Sequence, residues 1–173
     1  MDSMSTEEGS NSSPSTSSTS RCKFEVFISF RAEDTLDGFT DHLYAALNQK
    51  GILTFGDNKT LERGGSILTE NLKVIIESRF VNVVFSKNYA FSTWCLDELV
   101  KIIRCRKEMM TNMTILPVFY DVEPSDVRRQ GGTFGIAFAE YDERFKDDLE
   151  KVQTWRIALL EVANLTGWVV EDG

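Results

Sequence analysis

Short apolar runs alternate with amphipathic stretches along the chain from Arg21 onward. Runs rich in aromatic and β-branched residues predict strands at 24–30, 52–55, 80–86, 114–122 and 168–170. Helical spacing of apolar residues predicts helices over 37–51, 67–79, from about residue 93, and over 148–167. The segment 123–145 predicts a turn followed by irregular or helical structure. Strands and helices therefore alternate throughout, with short connections.

The strands indicate a parallel sheet. Several of them are nearly continuous apolar runs, which is typical of strands buried on both faces. Together with the alternation of elements, this predicts an α/β fold in which helices cover both faces of about five strands. Ligands of such sheets bind beyond the carboxyl ends of the strands. The loops of interest are therefore 31–35, 56–65, 86–93 and 121–132.

Composition divides the chain into a tail and a domain. Residues 1–20 are nearly all small and polar, which predicts a disordered Ser/Thr-rich tail. Residues 21–173 are sufficient for one domain with a sizeable core. The net charge of −8 argues against a constitutive binder of duplex DNA, which would present a basic face, and leaves nucleic acid as a minor alternative. No apolar run is long enough to span a bilayer, so no membrane contact is expected.

The cysteines and the one histidine restrict the chemistry. Cys22, Cys95 and Cys105 are an odd number without regular spacing, which favours free thiols and a reducing compartment, the cytoplasm or alternatively the nucleus. His42 is the only histidine, so no zinc pattern exists and no metal is expected. It is predicted in mid-helix, far from the ligand loops, where a surface or packing role is favoured over catalysis. Phosphate-loop, dinucleotide-binding and nucleophile-elbow motifs are absent.

The stretch "STWCLDEL" contains Glu98, for which the spacing of residues leaves two roles open. At about 100° per residue, Trp94 and Glu98 lie together on the side of the helix opposite an apolar stripe of Leu96, Leu99, Val100 and Ile103. A residue of Ser92–Thr93 is expected to cap the helix. Glu98 is then either a solvated acid stabilised by the helix dipole or a carboxylate beside an aromatic platform. Spacing alone favours the solvated acid.

Five spaced motifs together carry a family resemblance: "FEVFISFRAEDT", "TFGDNKTLERGGSI", "VFSKNYAFSTWCLDEL", "ILPVFYDVEPSDVRRQGGTFGIAF" and "WRIALLEVANLTGW". In this order they resemble the Toll/interleukin-1 receptor (TIR) domains of plant intracellular immune receptors, over residues 21–173. The resemblance implies a flavodoxin-like five-stranded sheet. It also implies cleavage of NAD⁺, or NADP⁺, when the domains assemble, and a role in defence and cell-death signalling.

Roles for site residues follow from the same resemblance. The motif glutamate, Glu98, would be catalytic, Trp94 would stack a base or nicotinamide, and Arg31 would meet phosphate or ribose. The second loop, through Asp57, Leu61, Arg63 and Gly64, would gate the pocket, with Asp57 against the substrate, and would contact the next protomer. The alternatives are a solvated charge for Arg63 and a turn glycine for Gly64.

Self-association surfaces are also implied by the resemblance. One would comprise Asp41 and His42 of the first helix with Arg156 of the last, and a second would surround Gly167 and Trp168. Core packing is the alternative for Trp168. Other TIR-containing immune receptors are further expected partners. The chain departs from the family pattern at three positions: glycine is usual at Ala32, and arginine at Leu36 and Gly56.

NAD⁺ cleavage is chemically compatible with so few polar groups. Nicotinamide leaves as a neutral base and needs no general acid, whereas ordinary glycoside hydrolysis employs two carboxylates. One carboxylate near the ribose stabilises the developing oxocarbenium charge. The expectation is an enzyme without a tightly bound cofactor. The alternatives are a non-catalytic scaffold that signals by homotypic association and, less favoured, an electron carrier.

Overall fold

Five parallel strands form the centre of the molecule. The structure, a computed structural model, describes residues 24–56, 67–108 and 111–172, so the predicted tail and Asp57, Leu61, Arg63 and Gly64 lie outside the described residues. The strands are β1 (Phe24–Ser29), β2 (Thr54–Gly56), β3 (Ser78–Phe85), β4 (Thr114–Tyr120) and β5 (Trp168–Val170). Their order in the sheet is β2-β1-β3-β4-β5, and every neighbouring pair is parallel. This confirms the predicted five-stranded fold.

Helices connect the strands in the described part of the chain. They are α1 (Ala32–Thr35), α2 (Asp41–Gln49), α3 (Ile67–Ile76), α4 (Thr93–Glu108), α5 (Pro124–Arg129), α6 (Gly132–Arg144) and α7 (Leu149–Ala163). A wide helical turn, Leu36–Thr40, joins α1 to α2, and its backbone leaves helical geometry at Gly38. A 3₁₀ turn, Tyr89–Phe91, precedes α4.

Alternating strand residues feed two cores. On one face Phe27, Val83, Phe85 and Phe119 pack with apolar residues of α3, α4 and α7. On the other face Ile28, Phe30, Val84 and Val118 pack with half-buried residues of α2, among them Leu43 and Leu47. The strands are apolar at consecutive positions because both faces are covered, which is the physical reason for the continuous runs in the sequence.

Apart from shifts of up to four residues at the ends of elements, two stretches differ from the predicted elements. The predicted helix over 37–51 is interrupted around Gly38, so only Asp41–Gln49 is regular. The stretch 123–145, expected to be a turn with irregular or helical structure, forms two helices. Pro124 begins α5, and Gln130 ends it with a left-handed φ of 54°. Gly132 then begins α6 with a φ of 54°, which glycine adopts without strain.

Candidate functional site

The strand order puts the topological switch point of the sheet between β1 and β3, where a ligand crevice is expected. The chain proceeds from β1 to β2 on one side and returns to β3 on the other, so the two connections diverge at this point. A sheet of order 2-1-3-4-5 binds its ligand at such a switch point, beyond the carboxyl ends of the strands. Two loops flank the crevice: Phe30–Arg31 after β1, and Ser86–Ser92 after β3, which leads into α4.

Arg31 joins the two loops across the crevice. Its Nη1 donates to the carbonyl oxygen of Asn88 at 2.8 Å, and its Nη2 pairs with Glu33 at 2.9 Å. Partial burial alone would lower the pKa of the guanidinium, but the hydrogen bond and charge of Glu33, with the charge of Asp34, raise that pKa above its ordinary value. Two of the five N–H donors are used by these contacts, which leaves the others for an anionic ligand.

Asp34 accepts three hydrogen bonds from the loop after β3. Its Oδ2 accepts from Ser86 Oγ at 2.6 Å and from the Asn88 backbone N–H at 2.8 Å, and its Oδ1 accepts from Asn88 Nδ2 at 3.0 Å. Charge-assisted hydrogen bonds of this kind are the stronger ones in proteins. The sequence marked 31–35 as a loop of interest, but only Arg31 was selected from it, because the donors of Asp34 come from residues about 50 positions away.

Helix α6 anchors the same loop from the other side. The Tyr141 hydroxyl donates to the Ala90 carbonyl at 2.6 Å, and Thr133 Oγ1 donates to the Lys87 carbonyl at 2.7 Å. Burial, with the nearby charge of Glu140, raises the pKa of Tyr141 to about 12, so the phenol keeps its proton at physiological pH. The loop is therefore held by side chains from two elements distant in sequence, and none of these contacts has a local sequence signal.

Helix α4 begins against the end of β1. Ser92 Oγ accepts from the Cys95 backbone N–H at 3.2 Å, so Ser92 is the cap, in line with the prediction for 92–93. Cys95 Sγ lies 3.8 Å from the Phe30 carbonyl oxygen, which fixes the first turn of the helix beside the crevice. The side chains of Cys95 and Cys105 are buried.

Glu98 is buried, with 3% of its surface exposed. It is the only charged side chain in the buried class among the residues that the structure describes. The prediction of a solvent-facing Glu98 opposite the apolar stripe is therefore wrong. A buried carboxylate needs compensating partners, and one carried by the helix that begins beside the switch point is a candidate functional group.

The error arose from the width of the buried side of α4. Glu98 shares a face with Cys95, Ile102 and Cys105, at spacings of three, four and three residues, and all four are buried. This helix packs against α3, α7 and β1, so about half of its circumference is covered. The apolar stripe chosen from Leu96 was only one margin of that half.

The neighbours of Glu98 on the helix differ from it in exposure. Trp94, the predicted stacking residue, is half-buried one turn earlier. Asp97 lies on the α7 side, where its Oδ1 accepts from the Trp155 indole Nε1 at 2.9 Å.

Gly56, where the resemblance expects arginine, ends β2, and a Cβ there would lie 3.3 Å from Phe30 Cε1. A side chain at this position requires a small movement of the Phe30 ring.

The predicted association residues lie on α2, on α7 and at the start of β5. Asp41 and His42 are exposed in the first turn of α2. Arg156 is engaged within the molecule: it donates to Gln130 and Asp142 at 2.7 Å each and lies over the Phe138 ring. It therefore ties α7 to α5 and α6, although 28% of its side chain stays exposed.

Gly167 and Trp168 have different environments from each other. A Cβ on Gly167 would clash with the Pro117 carbonyl oxygen of β4, so this glycine allows a close approach of two backbones. Trp168, on edge strand β5, is 58% exposed, so core packing does not explain it. Large exposed aromatic residues are enriched in protein interfaces.

The residues that the structure describes are 24–56, 67–108 and 111–172. In this part of the chain, no group of three or more His, Cys, Asp or Glu side chains is arranged to hold a metal ion. None of its helices combines the length and the apolar character needed to cross a membrane.

Comparisons with known proteins give a consistent result. The chain is 55% identical to the TMV resistance protein N of Nicotiana glutinosa over 153 residues, 88% of this chain and 13% of the relative. It is 55% identical to the disease resistance protein RUN1 of Vitis rotundifolia over 151 residues, 87% of this chain and 11% of that protein. The chain thus spans about an eighth of the length of the relatives it matches.

A solved structure and a family model complete the comparison. The TIR domains in the structure of the activated Roq1 resistosome directly recognizing the pathogen effector XopQ superpose with a TM-score of 0.78, at 51% identity, over 85% of this chain and 87% of that one. The TIR domain model matches residues 23–173. The predicted boundary at residue 21 lies two residues before this match. The chain belongs to the TIR domain family.

Proposed function

We propose that this domain cleaves the N-glycosidic bond of NAD⁺ or NADP⁺, releasing nicotinamide, when copies of it self-associate. The single observation that carries the proposal is the burial of Glu98 in the helix that begins at the β1–β3 crevice. A structural position in the middle of a helix does not require a carboxylate, and an apolar residue of similar size would be better accommodated there.

The surrounding residues have the properties that this reaction needs. Arg31 offers unused N–H donors to a phosphate, and half-buried Trp94 offers a ring surface to nicotinamide or adenine. Glu98 would accept hydrogen bonds from the ribose hydroxyls and stabilise positive charge at the anomeric carbon as the bond to nicotinamide breaks. Both electrons of that bond leave with nicotinamide, which needs no proton, and water or a nucleotide hydroxyl captures the sugar.

The relatives supply a biological setting for the proposal. Two proteins 55% identical to the chain are named for resistance to TMV and to disease, and the resistosome structure contains TIR domains in an assembly. We infer that this domain acts in plant defence signalling, with copies of itself and other TIR domains as partners. A loop contact between successive copies would make the assembly heterologous.

The test is nicotinamide release by artificially oligomerised protein. Wild type and the Glu98→Gln variant are fused to the same oligomerising tag and incubated with NAD⁺, and nicotinamide is separated by chromatography. The glutamine keeps the shape of the side chain and loses its charge, so release should fall by a factor on the order of 10² or more, the size of effect known for loss of one transition-state contact.

The matched control is Glu108→Gln on the same helix. Glu108 is exposed in the last turn of α4, so this variant changes the same charge without touching the crevice and should keep wild-type activity. Thermal unfolding of each variant checks the fold. If wild type and Glu98→Gln release nicotinamide at one background rate, the enzymatic proposal fails and the alternative, a scaffold that signals by association alone, is favoured.

A further inference from the structure

We infer that Asp34 is a positioning residue: through Asn88 it sets the orientation of Arg31 for the anionic part of the nucleotide substrate. The inference rests on the proposed function for the identity of the ligand. Its structural part stands on four hydrogen bonds that connect the segment 31–34 after β1 to the loop Ser86–Ser92, three to Asp34 and one from Arg31 to the Asn88 carbonyl.

The contacts link Asp34 to Asn88, and Asn88 in turn to Arg31. Asp34 binds the Asn88 residue at both its backbone N–H and its side-chain amide, so the peptide around Asn88 is held on one side by a carboxylate. The carbonyl of the same residue accepts from Arg31 Nη1. Asn88 therefore connects the two residues, so that Asp34 fixes the carbonyl group to which the Arg31 guanidinium donates.

The other contact of Arg31 is weaker as a restraint. Glu33, which pairs with Nη2, keeps 79% of its side chain exposed. Exposed ion pairs contribute little to order or stability because water competes for both charges. The Asn88 carbonyl, in contrast, belongs to a loop that is also held by Thr133 and Tyr141. The inner contact, through Asn88, therefore decides where the guanidinium points.

Asp34 itself is unsuited to contact an anionic ligand. All three donors it accepts come from the loop after β3, and Oδ2 already accepts two of them. Arg31 keeps donors available, whereas the carboxylate of Asp34 would repel a phosphate. The division of roles is physically reasonable: Arg31 meets the anion, and Asp34, three residues later in α1, organises the groups around it.

The hydrogen-bond pattern allows a swap experiment. Asn88→Asp places a second carboxylate against Asp34 Oδ1, where the amide nitrogen lies 3.0 Å away, so the two loops should separate. The double variant Asp34→Asn with Asn88→Asp restores one amide and one carboxylate and has the same net charge as wild type. Together with the single variants Asn88→Asp and Asp34→Asn, it completes a double-mutant cycle, which isolates the contact itself.

Two kinds of measurement decide the result. The first is ¹⁵N relaxation of the Arg31 side-chain Nε and hydrogen exchange at the Asn88 amide, neither of which depends on activity. The second is the Kd for ADP-ribose together with KM and kcat for NAD⁺. We expect Asn88→Asp to disorder Arg31, to weaken ADP-ribose binding and raise KM about tenfold, with kcat nearly unchanged, as for loss of uniform binding.

Rescue and a control complete the design. The double variant should return Arg31 order, Kd and KM to within about twofold of wild type, while Glu33→Gln should change each of them by less than about threefold. An Asn88→Asp variant with wild-type Arg31 order and KM would overturn the inference, as would a folded double variant that regains nothing.

The outcomes also separate this inference from the proposed function. If wild type binds ADP-ribose in an Asp34-dependent manner but releases no nicotinamide, only the proposed reaction fails. If Arg31 is ordered by Asp34 but the protein binds neither ADP-ribose nor NAD⁺, the positioning role for a substrate anion is overturned.

Discussion

The loop after β3 and helix α2 differ in how firmly the rest of the chain holds them. The loop Ser86–Ser92 is bonded by side chains from the segment after β1 and from α6. Helix α2 has no fully buried residue and contacts the sheet through half-buried side chains such as Leu43 and Leu47. The first arrangement suits a site that must be ordered before its ligand arrives, and the second suits a surface that exchanges partners.

This contrast gives each region a different expected response to substitution. Changes in the loop Ser86–Ser92 should alter the stability of the isolated domain or the activity of the assembled one. Changes on the predicted association surfaces should alter self-association and leave the isolated domain unaffected. Four substitutions test where the division lies.

The largest effect on stability is expected from Gly167→Ala. This result would contradict a simple division between the loop Ser86–Ser92 and the association surfaces. Gly167 belongs to a predicted association surface, but a Cβ there would clash with the Pro117 carbonyl and lie 2.7 Å from Pro117 Cγ. Because the obstacle is backbone, the free energy of unfolding should fall by about 2–3 kcal/mol. Urea unfolding measures it. A Gly167→Ala variant of wild-type stability that merely fails to associate would restore Gly167 to the association surface alone.

A smaller effect on stability is expected from Tyr141→Phe, which tests whether Tyr141 holds the loop Ser86–Ser92. The variant loses the 2.6 Å hydrogen bond to the Ala90 carbonyl and keeps the ring packing, so unfolding should become easier by about 1 kcal/mol. Hydrogen exchange of the backbone amides in 86–92 should accelerate as well. If exchange there is unchanged, Tyr141 does not hold the loop.

Tyr141 also predicts a dependence on pH. Its folded-state pKa, about 12, lies above the ordinary value of 10.0. The phenol therefore contributes its full stabilisation below pH 10 and loses it as pH rises towards 12, since the unfolded chain releases the proton first. Urea unfolding of wild type should show a steeper decline over this range than Tyr141→Phe does. Parallel declines in the two proteins would contradict the assignment.

The smallest effect on stability is expected from His42→Ala and Trp168→Ala. Both side chains are exposed, so the free energy of unfolding should change by no more than about 0.5 kcal/mol. Self-association measured by sedimentation should weaken, because an interface loses a ring or a polar contact. Association at wild-type strength in both variants would remove α2 and β5 from the predicted surfaces.

The local pattern of the chain determined the fold in outline. Consecutive apolar residues in β1, β3 and β4 predicted a sheet covered on both faces, and helical spacing placed α3, α4 and α7. These signals are local, so they can be read from one sequence. The break near Gly38 and the pair α5–α6 were less clear, because turn geometry at Gly38, Gln130 and Gly132 decides them.

The candidate site depended on tertiary structure at two points. Glu98 was selected by its motif, but spacing placed it on the wrong side of α4, because the width of a helix's buried face depends on how many elements pack against it. Asp34 was not selected at all, since its three donors are supplied by a loop about 50 residues later. The sequence by itself determined which strands form the sheet, and which motifs end at its switch point. Only the tertiary structure decided that Glu98 is buried and that Asp34 holds Asn88, because burial and long-range hydrogen bonds arise from segments that meet after folding.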